Sequence, residues 1–320
     1  MRIAMMGTGT FAEPTFKALL AANRNVVGLV TQPEREAGTK RASTRQTGEG
    51  MAAIAARAGV PVVQPASINA PDGLAALAGL RPELLVVAAY GQILSKAVIA
   101  LPPAGAINVH ASLLPKYRGA APVAHAILGG EAVTGATIIR ITPGLDAGDM
   151  LAQETLAIGD DETAGALETR LAPIGARLAV DVIQKLLAGP VLGTKQDPAL
   201  VTKAPKLAKE MGLVRWDQPA ANVGFQVRAM QPWPTAYTFL HRPGKPPMRV
   251  ILGVARATAE PGSSPGTPTS RAGRLFVSAA DALVELVELQ PAGKARMTAA
   301  EFLRGYPILP SFRFGPEVLS

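Results

Sequence analysis

Six short apolar runs dominate the first half of this chain, each separated from the next by a segment of different character, and they leave few folds open to it. Residues 2–6, 26–31, 61–64, 84–89, 105–110 and 137–142 have strand length and composition, while 14–22, 51–58, 72–79 and 121–128 carry helical spacing between them. Strand and helix in alternation imply a parallel sheet covered on both faces, with ligands held beyond the carboxyl ends of the strands. The fold class expected is therefore α/β.

An alanine- and leucine-rich segment at 163–187 reads as the closing helix of this domain, which would span 1–188. Composition then changes: residues 189–205 carry three prolines and few large apolar side chains, so 189–208 reads as a linker. Over 209–320 a helix at 220–228 is followed by strand patterns at 237–240, 248–257, 274–278 and 283–289, with a Pro-, Ser-, Thr- and Gly-rich stretch at 259–273 that reads as a mobile loop. A small OB-like β-barrel is the economical expectation for this second domain. At 320 residues the chain is long enough for two domains, and 48% hydrophobic with 18% charged residues fits a folded protein.

Charge separates the halves. Residues 1–188 hold 16 Lys and Arg against 15 Asp and Glu, whereas residues 189–320 hold 16 against 9, of a total of +8. A basic surplus confined to one half points to a polyanionic partner engaged by that half. With no cysteine, disulfides and thiol catalysis are excluded. No uncharged apolar run reaches membrane-span length, and the start turns to glycine too soon for a secretory signal, so a cytoplasmic protein without a membrane partner, acting as a monomer, is expected.

Gly7 and Gly9 follow the first strand as in dinucleotide binders, but the second strand ends at Thr31 and Gln32 where a ribose would require an acid. A tight strand-to-helix turn is the better reading. Residues 32–50 are almost free of apolar side chains, and Lys40, Arg41 and Arg45 within them suit a phosphate-gripping loop. Asn108 and His110 lie two apart on a strand and so share a face. Downstream, Gly144 and Gly148 flank Asp146 in a turn that can carry its carboxylate back toward the imidazole. An amide that holds a developing oxyanion, an imidazole that exchanges a proton and a carboxylate that orients it suit acyl transfer to an amine.

The run from Asn108 to Pro115, then Tyr117, Arg118 and Gly119, with Gly144 to Asp149 downstream, closely resembles the formyltransferases that use 10-formyltetrahydrofolate. That resemblance implies a Rossmann-like N-terminal domain, a catalytic trio at Asn108, His110 and Asp146, a tetrahydrofolate site lined by Ser112, Leu113, Leu114 and Pro115, and no metal. Thr31 to Pro33, Ala88 to Gly91, Arg228 to Ala236 and Leu289 to Lys294 are similar to the bacterial branch that formylates methionyl initiator tRNA. In that branch Lys40, Arg41 and Arg45 would meet the end of the acceptor stem and the basic second domain its phosphates, although the tip of this loop is less basic and less proline-rich than is common there. The alternative is a sugar-nucleotide N-formyltransferase with the same donor, whose small acceptor would not need a basic second domain. A folate- or RNA-binding protein without turnover would follow if Asp146 did not reach His110.

Overall fold

A computed structural model of the chain describes residues 1–33 and 49–318. Its contacts divide into two units: Met1–Val123 with Ala132–Ile158 and Ala166–Lys206, and Ala124–Glu131 with Gly159–Gly165 and Leu207–Ser320. The chain thus passes between the units more than once.

Along the first stretch run β1 (Arg2–Gly7), α1 (Ala12–Ala21), β2 (Asn25–Val30), α2 (Met51–Arg57), β3 (Val62–Val63), α3 (Pro71–Gly79), β4 (Leu84–Ala88), α4 (Lys96–Ala100) and β5 (Ala106–His110). There follow β6 (Arg118–Gly119), α5 (Pro122–Leu128), β7 (Val133–Arg140), β8 (Met150–Ala157), α6 (Ala164–Ala188) and β9 (Lys203–Ala204). The main sheet has the order β3-β2-β1-β4-β5-β7-β8. β4, all five residues of which are buried, lies inside it with neighbours on both edges. Continuous apolar runs such as this are what a sheet covered on both faces demands.

The pairing is parallel from β3 through β5, as the alternation predicts. It then reverses. β7 runs antiparallel to β5, with His110 opposite Thr137 and Ile107 opposite Arg140, and β8 is antiparallel to β7. Hydrophobic runs specify that a strand exists but not its direction, so the reversal was invisible in the sequence. No strand pattern marks β8 in the sequence. Its side chains alternate between half-buried and exposed at the sheet edge, and Gln153, Glu154 and Thr155 dilute its apolar character.

The second unit contains α7 (Ala220–Ala229), β10 (Ala236–Arg242), β11 (Lys245–Pro261), β12 (Pro268–Arg271), β13 (Arg274–Ser278), β14 (Ala282–Pro291), β15 (Met297–Thr298), α8 (Ala299–Gly305) and β16 (Arg313–Gly315). Its antiparallel sheet has the order β12-β13-β14-β11-β10-β16, with β15 beside β14. Pairing shifts along β11 against β14 mark bulges, which bend and twist a sheet. The sheet curls until its two edges meet through one residue: the Gly266 amide donates to the Ser278 carbonyl at 2.8 Å, and the Phe314 amide donates to the Gly266 carbonyl at 2.8 Å. Gly266 has φ +79°, and a Cβ there would collide with the Phe314 carbonyl. The stretch 259–273 is therefore not a loose loop. β11 continues to Pro261, the Ser263 amide donates to Ser278 Oγ at 3.0 Å, and β12 begins at Pro268.

Candidate active site

β5 presents Asn108 and His110 on one face, with the imidazole only 5% exposed. The segment 141–149 after β7 folds back over that face. The left-handed residue that turns it is Asp146 itself, at φ +46°, where the sequence pointed to the flanking glycines. A non-glycine residue in that region costs ~1–3 kcal/mol unless its surroundings hold it, and such residues cluster at functional sites.

Asp146 is held from several sides. Its Oδ2 accepts the Gly119 amide at 2.9 Å and lies 3.6 Å from His110 Nδ1, and its Oδ1 lies 3.5 Å from Asn108 Nδ2. The carboxylate is 13% exposed. Gly119, φ +128°, can donate here because it has no Cβ to strike the Ala204 carbonyl of β9. The other imidazole nitrogen, Nε2, lies 3.0 Å from the Tyr117 carbonyl. A carbonyl only accepts, so Nε2 carries a proton there, and Nδ1 is the ring nitrogen that faces the acid. The three polar groups predicted from distant parts of the sequence thus lie together.

The 112–115 segment is fastened beneath them. Ser112 is fully buried; its hydroxyl donates to the Lys116 carbonyl at 2.7 Å, and its own carbonyl accepts from Thr137 Oγ1 at 2.6 Å. Leu114 is also buried, its amide donating to Thr137 Oγ1 at 3.2 Å and its carbonyl accepting from Gln153 Nε2 at 3.0 Å. Leu113 and Pro115 are the two of the four that reach the surface. Lys40, Arg41 and Arg45 lie outside the described residues.

Sequence reading missed the supports. Thr137 and Gln153 pin the 112–115 segment, and the stretch read as a linker straps the site loops from outside. The Met150 amide donates to the Thr194 carbonyl and the Thr194 amide returns the bond at 2.8 Å, Thr202 Oγ1 accepts the Tyr117 amide at 2.8 Å, and β9 pairs with β6. Isolated amides and hydroxyls in polar stretches carry no periodic signal by which to find them.

Where the first strand gives way to α1, Thr8 Oγ1 meets Thr31 Oγ1 at 3.2 Å and accepts the Gln32 amide at 3.2 Å, while Gln32 Nε2 donates to the Tyr90 carbonyl at 3.1 Å. Thr31 and Gln32 thus bind the ends of neighbouring strands together, consistent with a tight structural turn after β1.

In the second unit the Arg228–Ala236 stretch ends α7 and secures residues 159–165. Arg228 donates to the Glu162 carbonyl at 3.1 Å, and the Gln231 carbonyl accepts the Gly165 amide at 3.1 Å. Burial lowers the Arg228 guanidinium pKa from its ordinary value.

Residues 1–183 match the family described as formyl transferase, and residues 206–307 match the formyl transferase C-terminal domain. The chain is 40% identical over 319 residues to a methionyl-tRNA formyltransferase of Citrifermentans bemidjiense, covering 99% of this chain and 97% of the relative. It is 42% identical to the methionyl-tRNA formyltransferase of Nitratidesulfovibrio vulgaris, covering 96% and 93%. Among solved structures, the sugar 3N-formyl transferase WlaRD superposes with TM-score 0.67 at 16% identity, covering 92% of this chain and 99% of that one. An N-formyltransferase from Helicobacter canadensis, in complex with folinic acid and dTDP-3-aminofucose, gives 0.64 at 15% identity, covering 89% and 98%. At such identity the structural likeness is one of fold, whereas the curated relatives share sequence along nearly the whole chain. By the family match and the identity along nearly the whole chain, this protein belongs to the formyl transferase family and, within it, to the methionyl-tRNA formyltransferases.

Proposed function

We propose that this protein transfers the formyl group of 10-formyltetrahydrofolate to the α-amino group of methionyl initiator tRNA, for translation initiation. Full-length identity of 40% to methionyl-tRNA formyltransferases is the observation that carries this reading. The convergence of Asn108, His110 and Asp146 supplies the chemistry for it.

In the reaction the neutral amine attacks the formyl carbon and negative charge grows on the formyl oxygen. One hydrogen of Asn108 Nδ2 faces Asp146 Oδ1; the second is free to meet that oxygen. A preplaced donor of this kind accelerates acyl transfer by about 10²–10³-fold. His110, between the Tyr117 carbonyl and the Asp146 carboxylate, shares the oxyanion charge as an imidazolium. Asp146 orients the ring and receives the amine's proton through water. Collapse of the tetrahedral intermediate breaks the bond to the folate nitrogen, which takes up that same proton and departs as tetrahydrofolate. No metal enters these steps.

We assign the donor site to the 112–115 segment. Because Ser112 and Leu114 are buried, its contribution comes from the exposed parts of Leu113 and Pro115 and from backbone groups. The catalytic role falls to the domain at 1–188, followed by the 189–208 connection, and tRNA binding to 209–320, together with Lys40, Arg41 and Arg45. Residues 207–320 hold 13 Lys and Arg against 8 Asp and Glu, which supports a polyanionic partner. We place the protein in the cytoplasm as a monomer. Among the described residues no helix is long and apolar enough to cross a membrane.

The test offers labelled 10-formyltetrahydrofolate with three acceptors: methionyl initiator tRNA, methionyl elongator tRNA and an amino-sugar nucleotide. Acid-stable label should enter the first far faster than the other two. Preference for the sugar nucleotide, or no transfer to any acceptor, would overturn the reading.

A further inference from the structure

We propose that Gln196 is a positioning residue for formyl transfer, which holds the Asp146 loop in its reactive shape; this rests on the function proposed above. Its carboxamide uses its whole hydrogen-bonding capacity on two strands of the site. Nε2 donates to the Asp146 carbonyl at 2.7 Å and the Gly148 carbonyl at 2.8 Å. Oε1 accepts from Arg118 Nε at 3.0 Å and Arg118 Nη2 at 2.8 Å.

The side chain therefore ties the turn that carries the carboxylate to the segment whose Gly119 amide binds that carboxylate. Both ends need holding. Asp146 sits at φ +46°, a conformation its own backbone disfavours, and Gly144 and Ala147 beside it are exposed. Gln196 is itself anchored, because Thr194 exchanges two backbone bonds with Met150 and β9 pairs with β6. Without the amide, the loop loses its bonds at the Asp146 and Gly148 carbonyls, and the carboxylate can shift from His110 and Asn108.

Two variants separate the halves of this link. Gln196→Ala removes all four bonds. Gln196→Glu keeps an acceptor for Arg118 but sets an anionic oxygen against the carbonyls of Asp146 and Gly148. Both should lower kcat by roughly 10–100-fold, because a displacement of about 1 Å at reacting groups has that consequence. KM for tRNA and for the folate should each change by less than about 3-fold, as expected for an interaction felt in the transition state. In ¹⁵N-labelled protein the His110 Nδ1 resonance should shift in both variants, with melting temperature little changed.

Wild-type kcat in Gln196→Glu would show that only Arg118 needs the side chain, and would overturn the proposal. So would a joint loss of kcat, affinity and melting temperature in both variants, which marks a merely structural residue. If the wild-type protein transfers no formyl group, the proposed function fails, and the His110 resonance alone decides whether Gln196 positions Asp146. An unchanged resonance sinks it.

Discussion

The two units treat charge in opposite ways. In the first, an imidazole and a carboxylate are drawn inward, both more than four-fifths buried, and each is met by named backbone partners. In the second, Arg249, Arg271 and Arg274 stay at the surface while Arg228 and Arg242 are partly buried, and all five lie over rings. Arg249 sits 4.0 Å from the Tyr237 ring centroid, Arg242 5.5 Å from that of Tyr306, and Arg271 and Arg274 both flank Phe276. Arg274 also pairs with Glu285 at 2.6 Å, and its hydrogen bond holds that carboxyl below the usual carboxylate range. Buried groups with fixed partners suit chemistry that needs one geometry. Exposed guanidiniums suit attraction of a polyanion, which tolerates many geometries and fades with salt.

The sharpest way to break this contrast is at Asn108, His110 and Asp146. Asn108→Ala, His110→Ala and Asp146→Ala should each reduce kcat by about 10²–10⁴-fold while leaving KM for tRNA nearly unchanged. Near-normal turnover in a folded variant would remove that residue from the chemistry. Combining two of the substitutions should cost far less than the product of the single losses, since the three act as a unit.

A smaller effect is expected from ionic strength. Between 50 mM and 200 mM salt, KM for methionyl-tRNA should rise by about 10-fold or more, as few phosphate contacts suffice for that slope, while KM for the folate should respond much less. A flat response in steady-state titrations would deny the second unit its electrostatic role.

The smallest effect concerns a buried polar group that serves neither purpose. Tyr90 is 2% exposed, its hydroxyl has no hydrogen-bond partner among the described residues, and burial pushes its pKa up to about 12. It packs in a cluster with Met6, Val30, Ile68 and Leu77. The raised value means the neutral phenol favours the folded state. Its contribution is intact below the ordinary tyrosine value near 10 and is lost as pH rises through about 12. Tyr90→Phe should therefore be neutral or stabilising by up to ~1 kcal/mol at pH 7, and should lessen the alkaline loss seen by thermal melts between pH 10 and 12. Marked destabilisation at pH 7 would reveal a partner for the hydroxyl.

Much of the architecture was legible because it depends on neighbours in the chain. The runs at β1, β2, β4 and β5 are apolar over strand lengths, α6 carries helical spacing for 25 residues, and Asn108 with His110 share a face through simple alternation. The composition change near residue 188 was legible too. The strap at 194–204 was not, since Gln196 and Thr202 acquire meaning only from groups 50 and 85 residues away.

Local pattern was enough to establish that this chain alternates strands with helices, changes character in its second half and carries an amide and an imidazole side by side. Folding in three dimensions settled the reversal of β7, the left-handed turn at Asp146, the strap that holds it and the closure of the barrel edge at Gly266. The physical reason is range. Periodicity and propensity act over a few residues, whereas each of these features exists because a distant hydrogen-bonding group had to find a partner once its own was buried.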